Sequence, residues 1–240
     1  MTPRPRLLVL LAAIAVPGCD PDGAPSPTTD PIAGPEGAAI AFTCAIDEAD
    51  DADPFVDCLE NLAAAEGARF GHDALPDIVL GPPQGGTETK GSLDVASLGC
   101  GGQITLAFFG RPVRDVEGPD FIVFENAFAA GEETFSEPGR VLVSPDGNDW
   151  YGFDCDVDDG WPAEGCAGVA PTLVADGADI IDPATAGGDA FDLADLGLTE
   201  IRYVRIADRT REYYGEELWC VGGNGGFDLD AIARTDGEVR

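Results

Sequence analysis

Forty-five acidic side chains set against a single histidine decide what chemistry this chain can attempt. A Ser–His–Asp triad would have to use His72, which sits in RFGHDALPD with no G-x-S-x-G elbow beside it. Paired carboxylates could serve glycoside hydrolysis, but acids are so abundant here that their presence carries no information. The chain is therefore read as non-enzymatic. Carboxylates grouped with glycine and amide oxygens are better suited to a hard cation, which takes about six to eight oxygen ligands. In GFDLDAIAR (226–234), Phe227 and Leu229 alternate with Asp228 and Asp230. With the apolar pair facing a core, both acids would share the other face, roughly 7 Å apart along a strand. The glycine-rich residues 222–226 allow backbone to approach an ion closely. Asp120, Glu125 and Asn126, which flank the FIVF run, could add oxygens, making calcium the expected cofactor.

Asp189 and Asp192 in GGDAFDL form another oxygen cluster, although turn and cap chemistry is the slightly favoured reading, with Asp192 capping a short turn through Leu198. The run from Asp154 to Gly160 superficially resembles a DxDxDG calcium loop. Asp159 stands where the turn glycine belongs and no Glu occupies the twelfth place, so an acidic, disulfide-closed surface loop is the better reading. Trp150, Trp161, Trp219, Tyr151, Tyr213 and Tyr214 could stack on a sugar, but aromatic residues more often pack a core. Of these, Tyr213, Tyr214 and Trp219 precede the last strand in a long loop, the usual place for a ligand contact.

Composition limits the partners. The formal net charge of −32 excludes nucleic acid, whose phosphates demand a basic face, and electrostatic adhesion to anionic lipid. Hydrophobic residues make up 44% of the chain, enough to build a core rather than a disordered polymer. With 32 Gly and 19 Pro, turns should be many and long helices few.

The first residues read as an address. A basic segment holding Arg4 and Arg6 precedes the apolar run 7–16, too short for a bilayer core of about 30 Å but suited to a signal peptide. Val16-Pro17-Gly18-Cys19 then resembles the bacterial lipobox, which makes 1–18 a lipoprotein signal peptide and Cys19 an acylated N-terminus. Acyl chains there would anchor the protein durably to a membrane of the cell envelope. Residues 19–38, rich in Pro, Gly, Ser and Thr, read as a flexible tether.

With Cys19 assigned to lipid, six of the seven cysteines remain, enough for three bridges in an oxidising compartment. Proximity suggests Cys44–Cys58 and Cys155–Cys166, leaving Cys100–Cys220, though sequence alone does not choose among the pairings. Zinc is a poor alternative without a C-x-x-C pair.

These residues must be positioned by short elements. Asp53 reads as an N-cap with Pro54 at the first helical position, and Phe55, Cys58, Leu59 and Leu62 recur at helical spacing. This predicts one short N-terminal helix over 54–65, within an acidic helical lead-in spanning 39–70. From 71 to 236 short β-rich runs follow: DIVLG (77–81), QITLAFF (103–109), DFIVFENAF (120–128), GRVLVS (139–144), NDWYGF (148–153), EIRYVRIAD (200–208) and GFDLDAIAR. The turn cluster 144–149 predicts a hairpin. The fold expected is mainly β, an antiparallel β-sandwich or jelly roll.

Several segments taken in order carry a resemblance. They are VLGPP (79–83), SLGCGGQITL (97–106), GPDFIVFENAF (118–128), VSPDGNDW (143–150), GGDAFDLAD (187–195) and GGFDLDAI (225–232). Together they resemble a family of exported bacterial cell-surface proteins and lipoproteins. The resemblance implies a galactose-binding-like β-sandwich, related in outline to discoidin and carbohydrate-binding modules, some of which bear calcium. It implies little about activity. The function expected is a lipid-anchored envelope binding or structural domain, stabilised by calcium, with a glycan, small molecule or protein as partner. The alternatives are a carbohydrate-binding module for glycan capture and, less favoured, a secreted hydrolase.

Overall fold

A computed structural model describes residues 26–28, 39–44, 53–158, 162–173, 180–215, 220 and 225–236. The leader with its lipobox, most of the tether, Trp161 and Trp219 lie outside the described residues.

In chain order the strands are β1 (Ile40–Ala41), β2 (Cys58–Ala63), β3 (Ala96–Ser97), β4 (Gln103–Ala107), β5 (Val113–Arg114), β6 (Phe121–Glu125) and β7 (Phe128–Ala130). They continue as β8 (Glu133–Phe135), β9 (Gly139–Ser144), β10 (Tyr151–Gly152), β11 (Asp189–Phe191), β12 (Glu200–Ile201), β13 (Tyr203–Asp208) and β14 (Asp228–Arg234). The α-helices among the described residues are two short ones, α1 (Pro183–Ala186) and α2 (Thr210–Tyr214). The strands form a six-stranded sheet ordered β1-β2-β4-β13-β9-β10 and a four-stranded sheet ordered β11-β6-β14-β3, with two small β-ribbons, β5 with β12 and β7 with β8. All strand pairings are antiparallel. The architecture is a β-sandwich.

Alternation explains the larger sheet. Ile104 and Leu106, Val141 and Val143, and Val204 and Ile206 point into the shared core, while Thr105, Arg140 and Arg205 take the opposite face. β6 lacks that alternation because both of its faces are covered. Phe121 and Val123 meet the inter-sheet core, whereas Ile122 and Phe124 pack with Phe55, Ile181 and Ala186 on the far side. The turn cluster after β9 forms the expected hairpin, with Tyr151 opposite Val143. The three disulfides are Cys44–Cys58, Cys100–Cys220 and Cys155–Cys166, the pairing that proximity suggested.

The short helix over 54–65 is not formed, and none of the described residues of the lead-in is helical. Cys58–Ala63 is a strand paired with β4, and β1 pairs with β2 at the edge of the larger sheet. A register shift between Leu59 and Asn61 makes Glu60 an extra residue, so Leu59 and Leu62 both reach the core at a spacing of three. A bulge thus imitates helical periodicity. Asp53 does accept the Phe55 amide (2.9 Å), but it closes a local turn and no helix follows. The run 77–81 is likewise not a strand: Asp77–Val79 is a 3-10 turn, confined between Pro76 and Gly81-Pro82-Pro83. Its apolar residues are packing contacts, with Val79 buried and Ile78 and Leu80 against the core.

Candidate functional site

β6 measures how far apart the expected cation ligands lie. Asp120 precedes it and Glu125 ends it, and five steps along a strand cover roughly 17 Å. The acids named from the sequence therefore cannot share one ion. The structure distributes them over four places.

At the start of β6, Asp115, Asp120 and Asp192 each offer an oxygen, and these oxygens lie within 4.8 Å of one another. Asp115 had no sequence signal. Asp120 is buried, and its two oxygens accept the amides of Val116 (2.8 Å) and Leu193 (2.7 Å). Asp192 accepts the Ala194 amide (2.8 Å) and caps the 3-10 turn Leu193–Leu196, which Gly197 ends. Both residues thus act as backbone caps, and Asp115 is exposed. Burial raises the Asp120 carboxyl above its ordinary range against the pull of those amides.

Asp189 is a second anchor. It accepts the amides of Gly168 (2.7 Å), Val169 (3.1 Å) and Ala170 (3.2 Å), tying that loop to β11. Burial outweighs these bonds and pushes its carboxyl up to about 7.

The other end of β6 differs. Glu125 lies two residues beyond Val123, so it shares the core-facing side of the strand and points between the sheets. It is 1% exposed. One carboxylate oxygen, Oε1, accepts the Asp228 amide (3.2 Å), and the other, Oε2, has no hydrogen-bond partner. Glu137, in the loop before β9, is also buried and accepts the Gly226 amide (2.6 Å). Gly226 has φ of 109°, and a Cβ there would collide with the backbone of Gly99 and Cys100, so the contact requires glycine. From the start of β14, Asp228 receives the Asn126 side-chain amide (3.4 Å), while the buried Oδ1 of Asn126 is itself without a partner.

The electrostatics of this end follow from burial. Desolvation, then the charges of Glu137 and Asp228, raise the Glu125 carboxyl well above its ordinary range. Desolvation, then Asp228 and Asp208, push Glu137 up to about 8. Asp228 is raised chiefly by burial. Asp208 beside them is different, because its oxygens accept from Gly101, Thr210 and Phe227, and it holds the end of β13 to the start of β14. Glu125 and Glu137 are thus buried beside the half-buried Asp228, and none of the ion pairs among the described residues reaches them. Such a cluster must be neutralised by protons or by a cation. Glu137 had no sequence signal, since nothing in SEPGRVLVS marks a residue that the fold brings to the end of β6.

Asp230 does not join Asp228. The register shift between Leu229 and Ala231 makes it the extra residue of a bulge, so Leu229 and Ile232 face the inter-sheet core while Ala231 and Ala233 face the other side. Simple alternation would have put the two acids together. Asp230 instead accepts the Gln84 amide (2.9 Å).

The aromatic residues are dispersed. Tyr213 packs beside Val157, Cys166 and Val169, and Tyr214 donates its hydroxyl to the Ser136 carbonyl (2.7 Å). Arg205 lies over Trp150, 3.7 Å from its centroid, and Tyr151 packs on the core. The 154–158 loop is closed by the Cys155–Cys166 bridge, as its composition suggested. No described helix is long and apolar enough to cross a membrane. No family model matches the chain, and no curated protein matches it either.

Proposed function

We propose that this chain is an exported, lipid-anchored domain of the bacterial cell envelope whose β-sandwich is completed by calcium. Glu125, Glu137 and Asp228, with the side-chain carbonyl of Asn126, would hold the ion. The observation that carries this reading is the pair of buried oxygens without partners, Glu125 Oε2 and Asn126 Oδ1, beside acids whose charges raise the Glu125 carboxyl. Buried polar atoms are rarely left unpaired, so each asks for an explanation. All the donors are hard oxygens, which suits calcium better than a thiophilic metal.

When bound, the ion supplies positive charge that replaces the protons these acids would otherwise keep. The residues around it do the structural work. Glu137 holds Gly226, Glu125 holds the Asp228 amide, and Asn126 reaches Asp228, so the loop before β9, the end of β6 and the start of β14 meet there. Neutralising the acids fixes this end of the sandwich and the loops that leave it, through which the domain would meet a glycan, small-molecule or protein ligand. Export and anchoring rest on the lipobox and on six cysteines paired as three disulfides. Calcium titration of the mature protein by isothermal calorimetry tests the cation: saturable heat that Glu125→Gln removes is expected, and identical isotherms for the two proteins would refute it.

A further inference from the structure

The stretch expected to be a tether meets the folded domain. The Thr28 amide donates to the Trp150 carbonyl (2.7 Å). The Phe153 amide bonds the Val141 carbonyl on β9, so by alternation Trp150, three residues earlier, turns its carbonyl to the open side of β10. Thr28 thus sits at one edge of the six-stranded sheet. Twelve residues on, the chain is at the opposite edge, where Ile40 and Ala41 of β1 pair with Leu62 and Asn61. From β10 to β1 is five strand spacings, about 24 Å. Twelve residues reach about 40 Å when extended, which suffices to cross. The inner face is filled by the core shared with the second sheet, so the outer face is the one open to them.

One row of cross-strand partners runs over that outer face from edge to edge: Ala41, Asn61, Thr105, Arg205, Leu142 and Gly152. Its middle is shielded from water, with Thr105 and Leu142 only 5% and 1% exposed. Arg205 is half-buried, its Nε on Thr105 Oγ1 (3.1 Å) and its guanidinium over Trp150, and it has no ion pair among the described residues. In the same row the buried Oδ1 of Asn61 has no hydrogen-bond partner. A half-buried cation that meets no acid, in a chain of net charge −32, and a buried oxygen that meets no donor both ask for a partner.

We propose that residues 29–38 dock on this row and strap the outer face of the larger sheet. Asp30 and Glu36, the two acids of the segment, bring counter-charge to Arg205, and its backbone amides bring donors to Asn61. Docking also sets where the chain leaves for the membrane. Seven residue steps separate Cys19 from Ser26, about 25 Å of extended chain, so the β10 edge would be held close to the bilayer. That consequence rests on the proposed acylation of Cys19, whereas the docking itself does not.

Hydrogen exchange of the mature protein, read by mass spectrometry over 29–38 and compared with a free peptide of residues 26–41, tests this. In the protein these amides should exchange at least tenfold more slowly than in the peptide. Arg205→Ala should return them towards the peptide rate. Asp30→Asn combined with Glu36→Gln, a change confined to the segment that leaves the folded core untouched, should do the same. Exchange at the peptide rate in wild type would overturn the proposal, as would protection that survives unchanged in both variants. Rapid exchange in a protein that cross-links as a dimer would give the face to a second copy of the chain and equally overturn it. The readout needs neither calcium nor an acyl chain, so its failure would leave the proposed function standing.

Discussion

Glu125 stands opposite Leu229 in the register between β6 and β14, a buried carboxylate where the neighbouring positions of the strand carry Phe121 and Val123. A core-facing glutamate with an unpartnered oxygen is costly unless something offsets its charge. In chelator, Glu125→Gln should therefore stabilise the protein, by about 1 kcal/mol or more. For a domain of this size that amounts to about 2–4 °C in melting temperature. In calcium the same variant should lose its response to the ion. Thermal melts of both proteins in both conditions check this, and a variant less stable than wild type in chelator would contradict it.

Much of the sandwich could be read from the chain, and the reason is alternation. In β4, β9 and β13 the core-facing Ile104 and Leu106, Val141 and Val143, and Val204 and Ile206 fall two residues apart, so their pattern survives in the sequence. The hairpin at 144–149 and the disulfide pairing were legible from local spacing. The failures share a cause. In β2 and β14 an extra residue converts a period of two into a spacing of three, which disguised Leu59 and Leu62 as a helix and put Asp230 apart from Asp228. Glu137 and Asp115 were invisible for another reason: their roles come from chain reversals that bring distant segments together, and no local pattern marks that.

Stability in chelator should fall as pH rises. Burial raises Asp189 to about 7 and Asp208 to about 6, from an ordinary value near 3.8. Between those values the folded state binds more protons than the unfolded state, so each group's contribution is full below about pH 4 and is lost by pH 6 to 7. The slope per group is at most about 1.4 kcal/mol per pH unit. Urea midpoints measured from pH 4.5 to 7.5 should show the decline, with a shallower one for Asp189→Asn. A rising profile would contradict the assignment.

The disulfides should contribute unequally. Cys100–Cys220 closes a separation of 120 residues, against 11 for Cys155–Cys166. In the chain-entropy description these are worth about 5 and about 3 kcal/mol. Replacing each pair by serine should follow that order in denaturant unfolding, and the opposite order would count against it.

Anchoring has a direct test. Cys19→Ala should move the protein from the membrane fraction to the soluble exported fraction, with metabolic labelling by a fatty acid lost at the same time. Retention of the variant in membranes would show that another feature holds it.

The measurement that bears most directly on the cation is differential scanning calorimetry of the mature protein, first in chelator and then in calcium at about 100 times its dissociation constant. Linkage then supplies about 2.7 kcal/mol, so the melting temperature should rise by about 5 °C or more, and the rise should vanish in Glu125→Gln. A wild-type protein that melts at the same temperature in both buffers would contradict the account.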